Sequence, residues 1–187
     1  MGVAPAALAA FCDKEPLSRF SKIMHELAGF CAEQGALTEA DGDALSAVEL
    51  WARAASIAEE KLGHLAMALS HYKRSLALEL RAPLLDAIAR IHEQQKEWLD
   101  AASHLDRLVR EFPEQRSHVI VRLADAYTHA EHDADAQQRL EAALGDPSSP
   151  PEVASRLAAI YRRPEQWAPL ADLVARLRPS PPWTGMV

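Results

Sequence analysis

The sequence predicts an all-α fold: an α-solenoid of about four antiparallel helix pairs behind an N-terminal capping helix. Three observations predict it. Strong helix formers dominate the 187 residues, with seven glycines and 6% aromatics. Apolar residues recur every three or four positions. In KEWLDAASHLDRLVREFP (residues 96–113), Trp98, Leu99, Ala101, Ala102, Leu105, Leu108, Val109 and Phe112 form one stripe that stops at Pro113. Finally, a similar phrase, QWAPLADLVARLRP, returns near the end of the chain, and the residues between the two echo the same order.

In chain order, the periodicity and its punctuation predict helices at 17–34, 43–62, 64–79, 83–95, 97–111, 116–130, 134–144, 151–162 and 167–177. The first carries the stripe Phe20, Ile23, Met24, Leu27, Phe30, Cys31 and is the capping helix, with Gly35 as its stop. Gly63 suits the stop of the next helix. Ser149-Pro-Pro-Glu152 reads as a capping box with proline in the first turn, and Pro169 also falls in a first turn, where a missing N–H is harmless. The domain reading is a loosely ordered 1–15, a capping helix and linker at 16–42, a repeat domain at 43–178 and a Pro-rich tail at 179–187.

The repeat rests on spacing. Ala101, Ala136 and Leu170 are anchors separated by 35 and 34 residues. Twelve residues before each stands an alanine (Ala89, Ala124, Ala158), preceded by Ile88, Leu123 or Leu157 and followed three residues on by His92, Tyr127 or Tyr161. Leu105, Leu140 and Val174 follow the anchors by four, and Leu108, Ala143 and Leu177 by seven. Trp98 and Trp167 each precede an anchor by three, so both read as core. An earlier copy is anchored at Ala68, with Tyr72, Ser75 and Trp51, and needs one inserted residue after Ala55. Small residues at these intervals let two helices approach, and large neighbours fill the seam.

This pattern resembles the tetratricopeptide repeat (TPR) over roughly residues 44–178. Lys96 departs from the usual loop pattern and Leu170 replaces a small residue. The resemblance implies a right-handed superhelix whose first helices line a concave, ligand-facing groove. Carried over residue by residue, it implies groove residues Glu49, Asp86, Arg90, Glu93, Asp125, His129, Arg162 and Arg163, acidic at the first end and basic at the last. Ala52, Ser56 and Asp86 stand where the family's clamp for a peptide carboxylate would need Lys or Asn, so that specificity is not expected.

Composition narrows the function further. The net charge of −7 opposes the counterion release that drives nucleic-acid binding. No run approaches the roughly 20 apolar residues of a membrane span. The start, MGVAPAALAAFCDKE, lacks the early Lys or Arg of a secretory signal, and Ala6 stands where a myristoylation motif needs Ser or Thr, so a cytoplasmic protein is expected. Cys12 and Cys31 have no metal or disulfide spacing. His129 and His132, with Asp133 and Asp135, look metal-like but fall at a turn and read as solvated. His25 opens H-E-x-x but Gly29 replaces the second ligand, and His64 and His71 read as surface residues. No nucleotide-binding or nucleophile motif is present, so neither catalysis nor a cofactor is expected.

The expected function is non-catalytic: an adaptor or scaffold that holds a peptide or helix of a partner protein in the groove. The alternative is a self-associating structural subunit, a homo-oligomer joined by its terminal helices or by the Trp183 tail. An enzyme or metal protein using the His-rich turns ranks last.

Overall fold

The computed structural model describes residues 14–146, 149–162 and 167–177. Among them every regular element is helical. These are α1 (Lys14–Ala40), α2 (Ala44–Glu60), α3 (Leu65–Leu78), α4 (Ala82–Gln95), α5 (Trp98–Glu111), a 3-10 turn (Pro113–Gln115), α6 (Arg116–His129), α7 (Asp133–Leu144), α8 (Glu152–Arg162) and α9 (Trp167–Leu177). From residue 43 onward each expected helix forms, its ends moved by at most two residues. No described helix is long and apolar enough to cross a membrane. The N-terminal thirteen residues with Cys12, Pro147, Arg163, the Trp167 side chain and the tail with Trp183 lie outside the described residues.

The fold divides into two compact units, cut inside α4 between Ile91 and His92. In the first, α1 folds back along α2 and α2 along α3. The Asp43 carboxylate caps α2 by accepting the Ser46 N–H at 3.2 Å. Ala55, Ala58, Ala68, Tyr72, Leu84, Ala87, Ile88 and Ile91 form the core. Ser75 is fully buried between α3 and α2, and its hydroxyl donates to the Val48 carbonyl at 2.8 Å. Cys31 is buried with its thiol free, a small residue of the core.

The first helix corrects two expectations. It runs to Ala40, and Gly35 lies inside it. A Cβ at Gly35 would stand 3.2–3.3 Å from the Trp51 indole, so this glycine serves close packing of α1 on α2. The stop is Gly42, at φ +83°. There the Gly42 N–H donates to the Glu39 carbonyl at 3.2 Å and the Asp43 N–H to the Thr38 carbonyl at 2.9 Å, a Schellman turn.

The same turn ends two later helices without glycine. Lys96 (φ 61°) donates to Glu93 and Glu97 to His92; Glu131 (φ 63°) donates to Thr128 and His132 to Tyr127. After α2 the turn is wider: Gly63 (φ 66°) donates to Glu59, and His64 reaches back to Ala58. That extra residue is the insertion in the first repeat. An L-residue with a side chain in the left-handed region is strained by about 1 kcal/mol. Lys96→Gly and Glu131→Gly are therefore expected to raise stability by about 1 kcal/mol each, read as a higher urea midpoint at unchanged slope. A lowered midpoint for both would mean that the turns are not left-handed.

In the second unit the anchors Ala101 and Ala136 are fully buried, together with Leu105, Leu108, Leu123, Leu140, Ala143 and Leu157. The last copy is out of register with expectation. Leu173 is 3% exposed and Val174 50%, and Leu170 is only half-buried. Leu170, Leu173, Val174 and Leu177 offer two overlapping helical stripes about 100° apart, and periodicity cannot choose between them. Packing of α9 on α8 does.

Candidate functional site

The charges assigned to the groove meet other charges of the protein first. On α2, the Glu59 carboxylate accepts two hydrogen bonds from Arg90 of α4, both at 2.9 Å, and a third from the Tyr72 hydroxyl at 3.1 Å. Burial and the adjacent Glu59 push the Tyr72 phenol well above its ordinary range. Asp86 stands one turn before Arg90, at 4.0 Å. The device recurs in the second unit. Arg122 of α6 donates to Glu93 at 3.2 and 3.1 Å, and Arg156 of α8 donates to Asp125 of α6 at 2.9 Å. In each case an acid on one first helix takes an arginine from the first helix of the next pair. Sequence carried a signal for this, an acid followed by arginine 31, 29 and 31 residues later.

Three expected residues converge on one cavity in the second unit. It has a volume of about 280 Å³ and is lined by Glu93, Trp98, Arg122, Asp125, Ala126 and His129. Trp98 is the first residue of α5, immediately after the Lys96 turn, and that turn brings it toward α6. Its indole stacks on the His129 imidazole, with ring centres 4.5 Å apart and planes 24° from parallel. Trp98 is thus half-buried and a wall of the cavity, where sequence placed it in the core. Ala126 leaves the space that a larger residue would fill. The cavity combines an aromatic wall with two carboxylates and a guanidinium, so it suits an apolar or aromatic side chain bearing a hydrogen-bonding group.

The other expected residues do not join it. Glu49 is exposed on α2, and Arg162 is exposed at the end of α8. A second cavity in the same unit, about 480 Å³, lies beside Tyr161, whose hydroxyl donates to Glu141. Burial and that carboxylate push the Tyr161 phenol up to about 12.

The histidines have local partners. His129 faces Trp98, while His132 pairs its Nδ1 with Asp135 at 3.1 Å. His71 departs from its surface reading: it is half-buried against Trp51 at 5.3 Å, and burial lowers its pKa. Trp51 is also half-buried, and its Nε1 donates to Glu39 at 3.2 Å. Among the described residues, His92, Glu97 and Asp100 bring ligating atoms within 4.8 Å of one another. There the His92 Nδ1 already shares a 2.6 Å hydrogen bond with Glu97, and acids at the start of α5 are what its dipole favours.

No protein-family model matches the chain, and no curated protein matches it. Solved structures do. A chain of nearly identical TPR-like repeats from Podosopora anserina superposes with a TM-score of 0.56 at 18% identity, covering 87% of this chain and 90% of that one. A MamA structure gives 0.54 at 14% identity, covering 76% and 88%. PilF of Pseudomonas aeruginosa gives 0.52 at 20% identity, covering 89% and 80%. At these identities the likeness shows the fold, which is TPR-like.

Proposed function

We propose that this chain is a non-catalytic protein-interaction scaffold of the cytoplasm. It takes a peptide or helix of a partner on the face of its first helices, with the Trp98 cavity as the anchoring slot. The observation that carries this reading is the convergence of Glu93, Asp125 and His129 with the half-buried Trp98 indole around an open space of side-chain size. Glu49, Asp86, Arg90, Arg162 and Arg163, the other residues that the TPR resemblance implies, are proposed as further partner contacts outside that slot, each within its own unit. Because Arg90, Glu93 and Asp125 are already paired, they present fixed, partly neutralised charge. The anchor is therefore apolar or aromatic rather than a bare ion.

Peptides selected from a random library for binding to the whole chain test this. Affinity for the selected peptides is expected to fall at least tenfold, about 1.4 kcal/mol, in His129→Glu, which puts charge against the indole. It is expected to stay unchanged in Arg107→Glu, an exposed substitution on α5 away from the cavity lining. Equal affinity of wild type and His129→Glu would mean that partners bind elsewhere.

A further inference from the structure

Helix α1 carries a row of large apolar side chains that its own unit leaves open. Phe20, Ile23, Leu27 and Phe30 are 47%, 56%, 40% and 57% exposed. Steps of three, four and three residues put all four on one face. At about 100° per residue, the centre of that row lies about a quarter turn from the centre of the strip Ala28, Cys31 and Gly35, which is buried. The helix therefore buries one strip and offers a second to solvent, where a fully solvated face would be polar.

Two features select the occupant. The row is symmetric about position 25: Phe20 and Phe30 lie five residues to either side, Ile23 and Leu27 two. The charges along one edge of the row are divided at the same point. Arg19 and Lys22 precede it, Glu26 and Glu33 follow it, and all four are exposed. Lys22 and Glu26 lie 4.0 Å apart along the helix, a loose pairing that leaves both heads in solvent.

The geometry points to a second copy of this chain as the partner, with α1 packing antiparallel on its symmetry mate about a twofold axis at position 25. Phe20 of each copy meets Phe30 of the other, and Ile23 meets Leu27. Arg19 comes within two residues of the position opposite Glu33, and Lys22 within two of that opposite Glu26, an offset of about 3 Å that long side chains span, so each pair occurs twice. In a parallel pair the twofold axis would put the two charged edges on opposite sides of the interface, where they could not meet. The interface is isologous and closes at two copies. The row shares no residue with the Trp98 cavity, so the two proposals fail independently.

Sedimentation equilibrium of the full chain from about 1 to 200 μM tests this, on the scale of a modest helix-pair interface. Wild type is expected to approach twice its 20.5 kDa. Leu27→Glu weakens association at least tenfold, and so does the double variant Arg19→Glu/Lys22→Glu, which leaves the edge wholly acidic. Adding Glu26→Lys and Glu33→Lys to that double variant exchanges every sign and restores the dimer, which only antiparallel pairing allows. All five positions are exposed, so each variant keeps the wild-type helical circular dichroism. A wild type that stays at the mass of one chain throughout overturns the proposal. So does a dimer that Leu27→Glu leaves intact, or a fourfold exchange that remains monomeric.

Discussion

Ala101→Trp is expected to unfold the second unit. Ala101 is 0% exposed at the anchor of its repeat, so an indole there has no space to enter without moving helix backbones apart. Overpacking by a few methylenes already costs about 1–3 kcal/mol. A whole indole is expected to cost at least about 3 kcal/mol, a large share of the roughly 5–15 kcal/mol that holds a domain. Leu99→Trp, two residues earlier on the exposed side of the same helix, is the control and should change stability by less than about 0.5 kcal/mol. Thermal melts followed by circular dichroism separate the two. If Ala101→Trp melts like wild type, the repeat register is wrong.

Glu59→Ala has the next largest expected effect. Its side chain is 7% exposed and holds both the Arg90 guanidinium and the Tyr72 hydroxyl. Removing it leaves a buried phenol without its acceptor and a half-buried cation with only the more distant Asp86, at 4.0 Å, as counter-charge. Each loss lies in the range of about 1–3 kcal/mol for a group left unsatisfied, and Arg90 falls at the low end because water reaches it. Urea unfolding should show a total loss of about 2–4 kcal/mol. In the double variant with Arg90→Ala the loss should be less than the sum of the single losses, because no stranded cation remains. A loss below about 0.5 kcal/mol for Glu59→Ala would show that the triad carries no stability.

The extent to which the sequence is legible follows the reach of each interaction. Helix boundaries depend on neighbours within one or two turns, and helices α2 to α9 formed where periodicity and caps placed them. Gly35 and Gly42 mark the limit. Both are glycines near the end of α1, but one is required by an indole on another helix and the other by a left-handed turn. Nothing local tells them apart. The slip at Leu173 has the same origin, since two stripes of equal quality differ only in what packs against them.

For the candidate site the division is sharper. Glu93, Asp125 and His129 were legible as a first-helix face, and the structure brings them to one cavity with Trp98 and Arg122. That Trp98 forms a wall there, and that Arg90 and Asp125 already hold charges of neighbouring helices, depends on contacts between residues about 30 positions apart. Short-range spacing contains no distance across such a gap.

Sequence by itself determined that this protein is built of helix pairs with small residues at near-constant intervals, because helical periodicity and close approach are local demands on residue type. Tertiary structure alone decided which glycine packs and which turns, which charges tie helices together, and where a tryptophan lines a cavity. Those outcomes depend on which surfaces meet, and that is a property of the folded chain.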